Sequence, residues 1–168
     1  MNAIDLLKQQ HDLVDDLFDQ IEQADASEKE ILFDELADNL AGHAAIEEHV
    51  FYPAVYAGET RAILNEAVEE HLAIKRLIAD LMDLTPEDEQ FDAKLTVLRE
   101  QVKHHVKEEE KELFPKAKKE LGKEKLLQLG AEMQGLFTKE MAEGAAYKVP
   151  DQTSQAAQIS PDSAPLSR

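Results

Sequence analysis

Two His-x-x-x-Glu pairs, His43 with Glu47 and His105 with Glu109, are the residues of this sequence best placed to do chemistry. On a helix, side chains four apart share a face, so each imidazole would project beside its carboxylate. Both groups are costly to bury unless they are paired with each other or bound to a cation. The flanking residues put both pairs on a buried face. Leu36 and Leu40 precede His43 by seven and three positions, and Leu98 and Val102 stand in the same places before His105. The agreement extends downstream, where Pro53 and Pro115 each follow their glutamate by six residues and are preceded by an aromatic, Tyr52 or Phe114.

Two further histidines repeat in the same way. His11 is followed by Val14 and Leu17, His71 by Ile74 and Leu77, and Ile4 and Leu64 lie seven residues before them. The spacing from His11 to His43 is 32 residues and from His71 to His105 it is 34. The sequence therefore reads as two copies of one helical hairpin. A lone core histidine is ordinarily a hydrogen-bonded one, and a single His-x-x-x-Glu arises often by chance. Four inward histidines and two glutamates in a duplicated register are a different matter, because together they make a cage for divalent metal. Imidazole suits iron, zinc and copper, and carboxylates can bridge two ions. Six donors exceed the needs of one tetrahedral ion, which favours a dinuclear site.

Neighbours on a helix point about 100° apart, so only one of His104 and His105 can join the stripe. His105 continues Leu98 and Val102, whereas His104 continues the polar Gln101 and Glu108; His105 is the expected ligand. His49 matches Lys111 in the repeat and is expected at the surface, as is the acidic run 108–110 apart from Glu109.

The elements that must carry these residues follow from apolar periodicity. Helices are expected over about 3–24, from a Ser27/Glu30 capping box to Gly58, over a run containing Ile63 to Leu81, and from Thr85-Pro86 to Leu121. These form an antiparallel up-down-up-down four-helix bundle, all-α, over residues 1–121. Gly122 is the expected terminator. A short accessory helix is expected over 122–144, and a disordered tail over 145–168, where prolines recur and little can be buried.

The sequence contains no cysteine, which removes disulfides, iron–sulfur clusters and thiol nucleophiles. The net charge of -18 opposes binding to phosphate backbones and anionic membranes, so neither nucleic acid nor membrane is an expected partner. No segment approaches the roughly 18 apolar residues of a membrane span, and the acidic N-terminal stretch does not resemble a signal peptide, so a cytoplasmic location is expected.

The residues His11, His43-x-x-x-Glu47 with Tyr52-Pro53, His71, and His105-x-x-x-Glu109 with Leu113-Phe114-Pro115 resemble the hemerythrin-like, or HHE cation-binding, family over about residues 3–120. The resemblance implies two non-haem iron ions bridged by an oxo or hydroxo group; the ligand types themselves also accept manganese or zinc. It implies His11 and His43 on one ion, His71 and His105 on the other, and Glu47 and Glu109 bridging. Oxygen carriers of the family have another histidine four residues after the third ligand; here that place holds Lys75, and its counterpart in the first hairpin is Asp15. The set is similar to that of bacterial members linked to repair of iron centres under nitrosative stress.

Three functions are in competition at this point. The first is a di-iron protein that senses, binds or handles oxygen, nitric oxide or iron, with a small diatomic as its partner. The second is a di-iron oxidoreductase acting on peroxide or nitric oxide or in iron-centre repair, and the third a metal-free helical interaction module. No protein partner is named by the sequence.

Overall fold

The computed structural model describes residues 1–157 and 159. Four long helices carry the bundle: α1 (Ala3–Gln23), α2 (Ala26–Ile46), α4 (Arg61–Met82) and α5 (Glu89–Glu108). α1 packs on α2 and α4 on α5, as two hairpins, and no strand occurs among the described residues. The residues used above to define the inward stripe are buried, with Ile4, Leu36, Leu64 and Leu98 fully enclosed, except Leu77, which is partly buried against the same core.

Two helix starts differ from expectation. α2 is capped by Asp25, whose side chain accepts from the Glu28 backbone N–H while Glu28 reaches back to the Asp25 N–H. Ser27 instead donates its hydroxyl to Asp25 at 2.8 Å. A carboxylate two residues upstream is an equally good acceptor for the orphan amides, and it takes the cap. Likewise α5 begins at Glu89, because Thr85 and Asp88 close a turn around Pro86 in which both the amide and the hydroxyl of Thr85 donate to Asp88.

α2 and α5 each run into one turn of π-helix, Glu47–Phe51 and Glu109–Leu113, before continuing as α3 (Tyr52–Val55) and α6 (Phe114–Glu143). The prolines explain these turns. Pro53 and Pro115 lack an N–H and would press their rings against the carbonyls of His49 and Lys111, so the backbone widens just before them. Tyr52 N–H consequently donates five residues back to the Glu47 carbonyl, and Phe114 N–H to the Glu109 carbonyl.

Gly122 interrupts α6 with φ 72° and ψ 172°, a conformation that side-chain-bearing residues resist. The chain turns there, and the second part of α6 packs against α1 and α2. This is the accessory helix expected from the sequence. Contact with the chain start is so close that a Cβ on Gly130 would lie 2.8 Å from the Asn2 carbonyl carbon. The tail expected from residue 145 is not free over its first part. A 3-10 turn (Ala145–Lys148) and α7 (Val149–Gln152) follow, with Ala145, Ala146 and Val149 buried against α2 and α4. The Ala146 N–H donates to Asp38 at 2.8 Å. Alanines bury small areas and give a weak sequence signal, which is why this segment was unexpected. Residues 158 and 160–168 of the expected tail lie outside the described residues.

Two apolar clusters fill the bundle. One contains Val14, Phe18, Leu36, Ile78 and Leu98, the other Ile4, Leu7, Phe51, Leu64 and Phe114. Between them lies a polar layer.

Candidate metal centre

His11, His43, His71, His105, Glu47 and Glu109 form that layer, all of them buried. The structure brings together all six residues expected from the sequence. His104 projects to solvent with its side chain 57% exposed, and His49 is exposed as well.

The inward atoms fall into two groups. In the first, His11 Nε2, His43 Nε2 and one oxygen each of Glu47 and Glu109 lie within 4.8 Å of one another. His11 Nε2 is 3.3 Å from Glu109 Oε2, and His43 Nε2 is 3.1 Å from Glu47 Oε1. All four atoms are buried without a hydrogen-bond partner. Unsatisfied buried donors and acceptors are rare and costly, and four converging on one point call for a ligand. In the second group, His71 Nε2 lies 3.1 Å from both His105 Nε2 and Glu47 Oε2, and His105 Nε2 is 3.6 Å from Glu109 Oε1. Each carboxylate thus presents one oxygen to each group, the arrangement that bridging requires. The donor set fits a pair of cations.

The ring orientations are fixed from outside. Nδ1 of His11 donates to Glu110 (2.8 Å), of His43 to Gln10 Oε1 (2.7 Å), of His71 to Glu48 (2.9 Å) and of His105 to Glu70 (3.1 Å). A carboxylate or amide oxygen can only accept, so a ring proton sits on Nδ1, and it is Nε2 that can turn a lone pair inward once it is deprotonated, as metal-ligating histidines require. None of these four supports was anticipated, and Glu110 had been assigned to the solvated face. Their signal was present in the repeat: Gln10 and Glu70 precede the first histidine of each hairpin, and Glu48 and Glu110 follow the glutamate. Glu48 also accepts both oxygens' worth of contact from Lys75 Nζ, at 2.9 and 3.0 Å. Lys75 is therefore buried and committed to Glu48; it does not reach outward. Burial would raise the Glu48 carboxyl, but His71 and Lys75 outweigh that and hold it down at about 2.

Tyr52 is the principal residue that sequence reasoning missed. The π-turn places it five residues after Glu47 on the inward face, and its hydroxyl donates to Glu109 Oε1 at 2.7 Å. The same oxygen lies 3.1 Å from Glu47 Oε2, 3.2 Å from His71 Nε2 and 3.4 Å from His105 Nε2. Burial and the two carboxylates push its ionisation well above the ordinary phenol range. The corresponding residue of the other hairpin, Phe114, has no hydroxyl and stacks on His11, with centroids 5.9 Å apart.

Without a cation, the layer balances its own charge. Burial disfavours imidazolium, but Glu109 and Glu47 overcome it at His11 and His105, and Glu47 and Glu48 do so at His71, so all three rings hold protons above the usual 6.5. Burial would also raise Glu47, yet His43, His105 and His71 bring it well below the usual 4.5. Beside the four histidines lies a cavity of about 30 Å³, lined otherwise by Gln10 and by aliphatic side chains including Val14, Leu40, Ile74 and Val102. A groove between α1 and α5 shares His11, Val14, Val102 and Val106 with it.

A helical bundle with two adjoining nitrogen and oxygen donor groups in its core is the architecture of a cation-binding bundle. The family model described as the Hemerythrin HHE cation binding domain matches residues 2–117, and the chain belongs to that family. A DNA nickase of Nostoc sp. is 28% identical over 140 residues, covering 83% of this chain but only 40% of the nickase. This chain thus spans about two fifths of that protein. The uncharacterized protein Rv2633c of Mycobacterium tuberculosis is 28% identical over 117 residues, 68% of this chain and 71% of its own length. In three dimensions the chain is similar to the crystal structure of a Hemerythrin HHE cation binding domain-containing protein, an Rv2633c homolog from Mycobacterium kansasii. The TM-score is 0.77 at 23% identity, covering 91% of this chain and 94% of the other, a likeness of fold. No helix among the described residues is long and apolar enough to cross a membrane.

Proposed function

We propose that the polar layer holds two non-haem iron ions and that the protein senses, binds or handles oxygen, nitric oxide or iron without turnover, in the cytoplasm. The observation that carries this reading is the set of four buried, unpartnered atoms on His11, His43, Glu47 and Glu109. His11 and His43 would hold one ion, His71 and His105 the other, and the two carboxylates would be shared between them. Iron held this way supplies reversible binding of small ligands and one-electron chemistry. The residues of the chain do the rest. Gln10, Glu48, Glu70 and Glu110 orient the imidazoles, and the cavity beside the four histidines, walled largely by aliphatic side chains, has room for a small ligand next to the inward atoms.

An oxidoreductase acting on peroxide or nitric oxide is the second reading. It is favoured by the Tyr52 hydroxyl, a buried proton donor among the inward atoms. Strand nicking belongs to the Nostoc relative. In this chain the charge of -18 argues against a phosphate-backbone partner.

Anaerobic iron reconstitution followed by ultraviolet-visible spectroscopy under nitric oxide or oxygen tests the proposal. A spectrum that shifts once and persists supports binding. Continuous consumption of nitric oxide or peroxide, abolished by His71→Ala, would replace the first reading with the second.

A further inference from the structure

His104 lies one residue before His105, Glu108 one before Glu109, and Glu70 one before His71. A step of one residue turns a side chain about 100° around its helix. The three outer residues therefore repeat the pattern of three inner ones on the adjoining, outward face where α4 meets α5. There His104 Nε2 is 3.2 Å from Glu70 Oε2 and 3.3 Å from Glu108 Oε1. One donor atom from each residue lies within 4.8 Å of the others. Neighbouring ligands on a tetrahedral ion with bonds of about 2.0 Å are separated by about 3.3 Å.

We propose that Glu70, His104 and Glu108 form a second, solvent-facing site for a single divalent cation of the zinc class. One imidazole and two carboxylates suit such an ion and leave its outer side to water. The side chains of His104 and Glu108 are 57% and 33% exposed, so the ion would arrive directly from solvent, while Glu70 is 13% exposed and is already held in place. Glu70 is the link to the interior: its Oε1 accepts from His105 Nδ1 at 3.1 Å while Oε2 faces His104. The corresponding positions of the first hairpin are Gln10, Gly42 and Ile46, which include neither an imidazole nor a carboxylate. The outer site thus belongs to one half of the duplication alone. Its three ligands are not among the six of the inner layer, so it does not depend on which metal the layer holds.

Equilibrium dialysis of the full-length, iron-loaded protein against micromolar zinc, followed by metal analysis, tests this. The wild type is expected to take up one more equivalent of zinc than His104→Ala, with iron content equal in the two proteins. Glu108→Gln is expected to weaken that equivalent by about tenfold or more, by analogy with the losses that follow disruption of metal sites. Equal zinc uptake by wild type and His104→Ala would overturn the proposal, as would unaltered affinity in Glu108→Gln. Loss of iron from His104→Ala would overturn it too, by making His104 an inner ligand. A protein that fails to retain iron would still report the zinc difference, so the outer site and the di-iron reading fail separately.

Discussion

The two hairpins place the same ligands in the same register, yet the two ends of the polar layer are unlike. At the His71/His105 end the Tyr52 hydroxyl from the other hairpin touches every inward group, and Lys75 secures the supporting Glu48. At the His11/His43 end the matching aromatic is Phe114, the matching cation is replaced by Asp15, which is exposed and pairs with Arg99, and four donor atoms are left unpartnered. Duplication of the backbone, π-turns included, builds two equivalent receptacles, and a single hydroxyl then makes them unequal. On the proposed reading, the ion held by His71 and His105 would lie beside the Tyr52 hydroxyl, whereas the ion held by His11 and His43 would face the Phe114 ring and have no protein hydroxyl beside it.

Removing what the two ends share should have the largest effect. Glu47→Ala takes one oxygen from each group and leaves protonated imidazoles without their buried counter-charge. Both irons are expected to be lost, as read by metal analysis; retention of either would separate the ends more completely than the shared carboxylates allow. Tyr52→Phe should erase much of the difference. It is expected to weaken iron at the His71/His105 end by about ten- to a hundredfold while leaving the other end unchanged, measurable by chelator competition. Equal weakening of both ions would show that the hydroxyl serves the layer as a whole.

A smaller effect is expected from the outer supports. Glu110→Gln should weaken only the ion on His11, and Glu48→Gln only that on His71, each by about tenfold, because each accepts from one ring. Protons supply a comparison between the metal-free and loaded states. Rings on His11, His71 and His105 hold protons above 6.5 in the metal-free protein, so loading must displace them. Iron affinity should fall as pH drops through those raised values. The sign for stability is opposite: the imidazolium contribution is complete below 6.5 and lost as pH rises through the raised values, whereas the Glu47 contribution is present above 4.5 and lost in acid. Metal-free protein should therefore be most stable in between, which thermal unfolding across pH can check. The smallest effect concerns the first hairpin alone, where the second part of α6 packs. Gly130→Val forces a side chain against the N-terminal backbone and should cost about 1–3 kcal/mol of stability with unchanged iron content.

The duplication made the four helices and six inward residues legible, because one copy corroborates the other at every position from Ile4 and Leu64 to Pro53 and Pro115. What the repeat did not reveal depended on local backbone geometry. In an uninterrupted α-helix Tyr52 would turn away from Glu47; only the proline-driven π-turn brings it inward, and the tyrosine-to-phenylalanine difference gave no hint of its weight. Supporting acceptors such as Glu110 look like solvated charge until the neighbouring helix is in place. Ala145, Ala146 and Val149 were illegible for another reason: they bury small side chains in a segment whose prolines suggest no structure, and Pro150 in fact occupies the first turn of α7.

The measurement that bears most directly on the centre is metal analysis of the full-length protein after anaerobic iron reconstitution and removal of excess iron. Two irons per chain in the wild type, falling to one or none in His43→Ala, is the predicted result. Less than one transition metal per chain in the wild type would contradict it and leave the polar layer as a self-neutralised cluster of imidazoles and carboxylates.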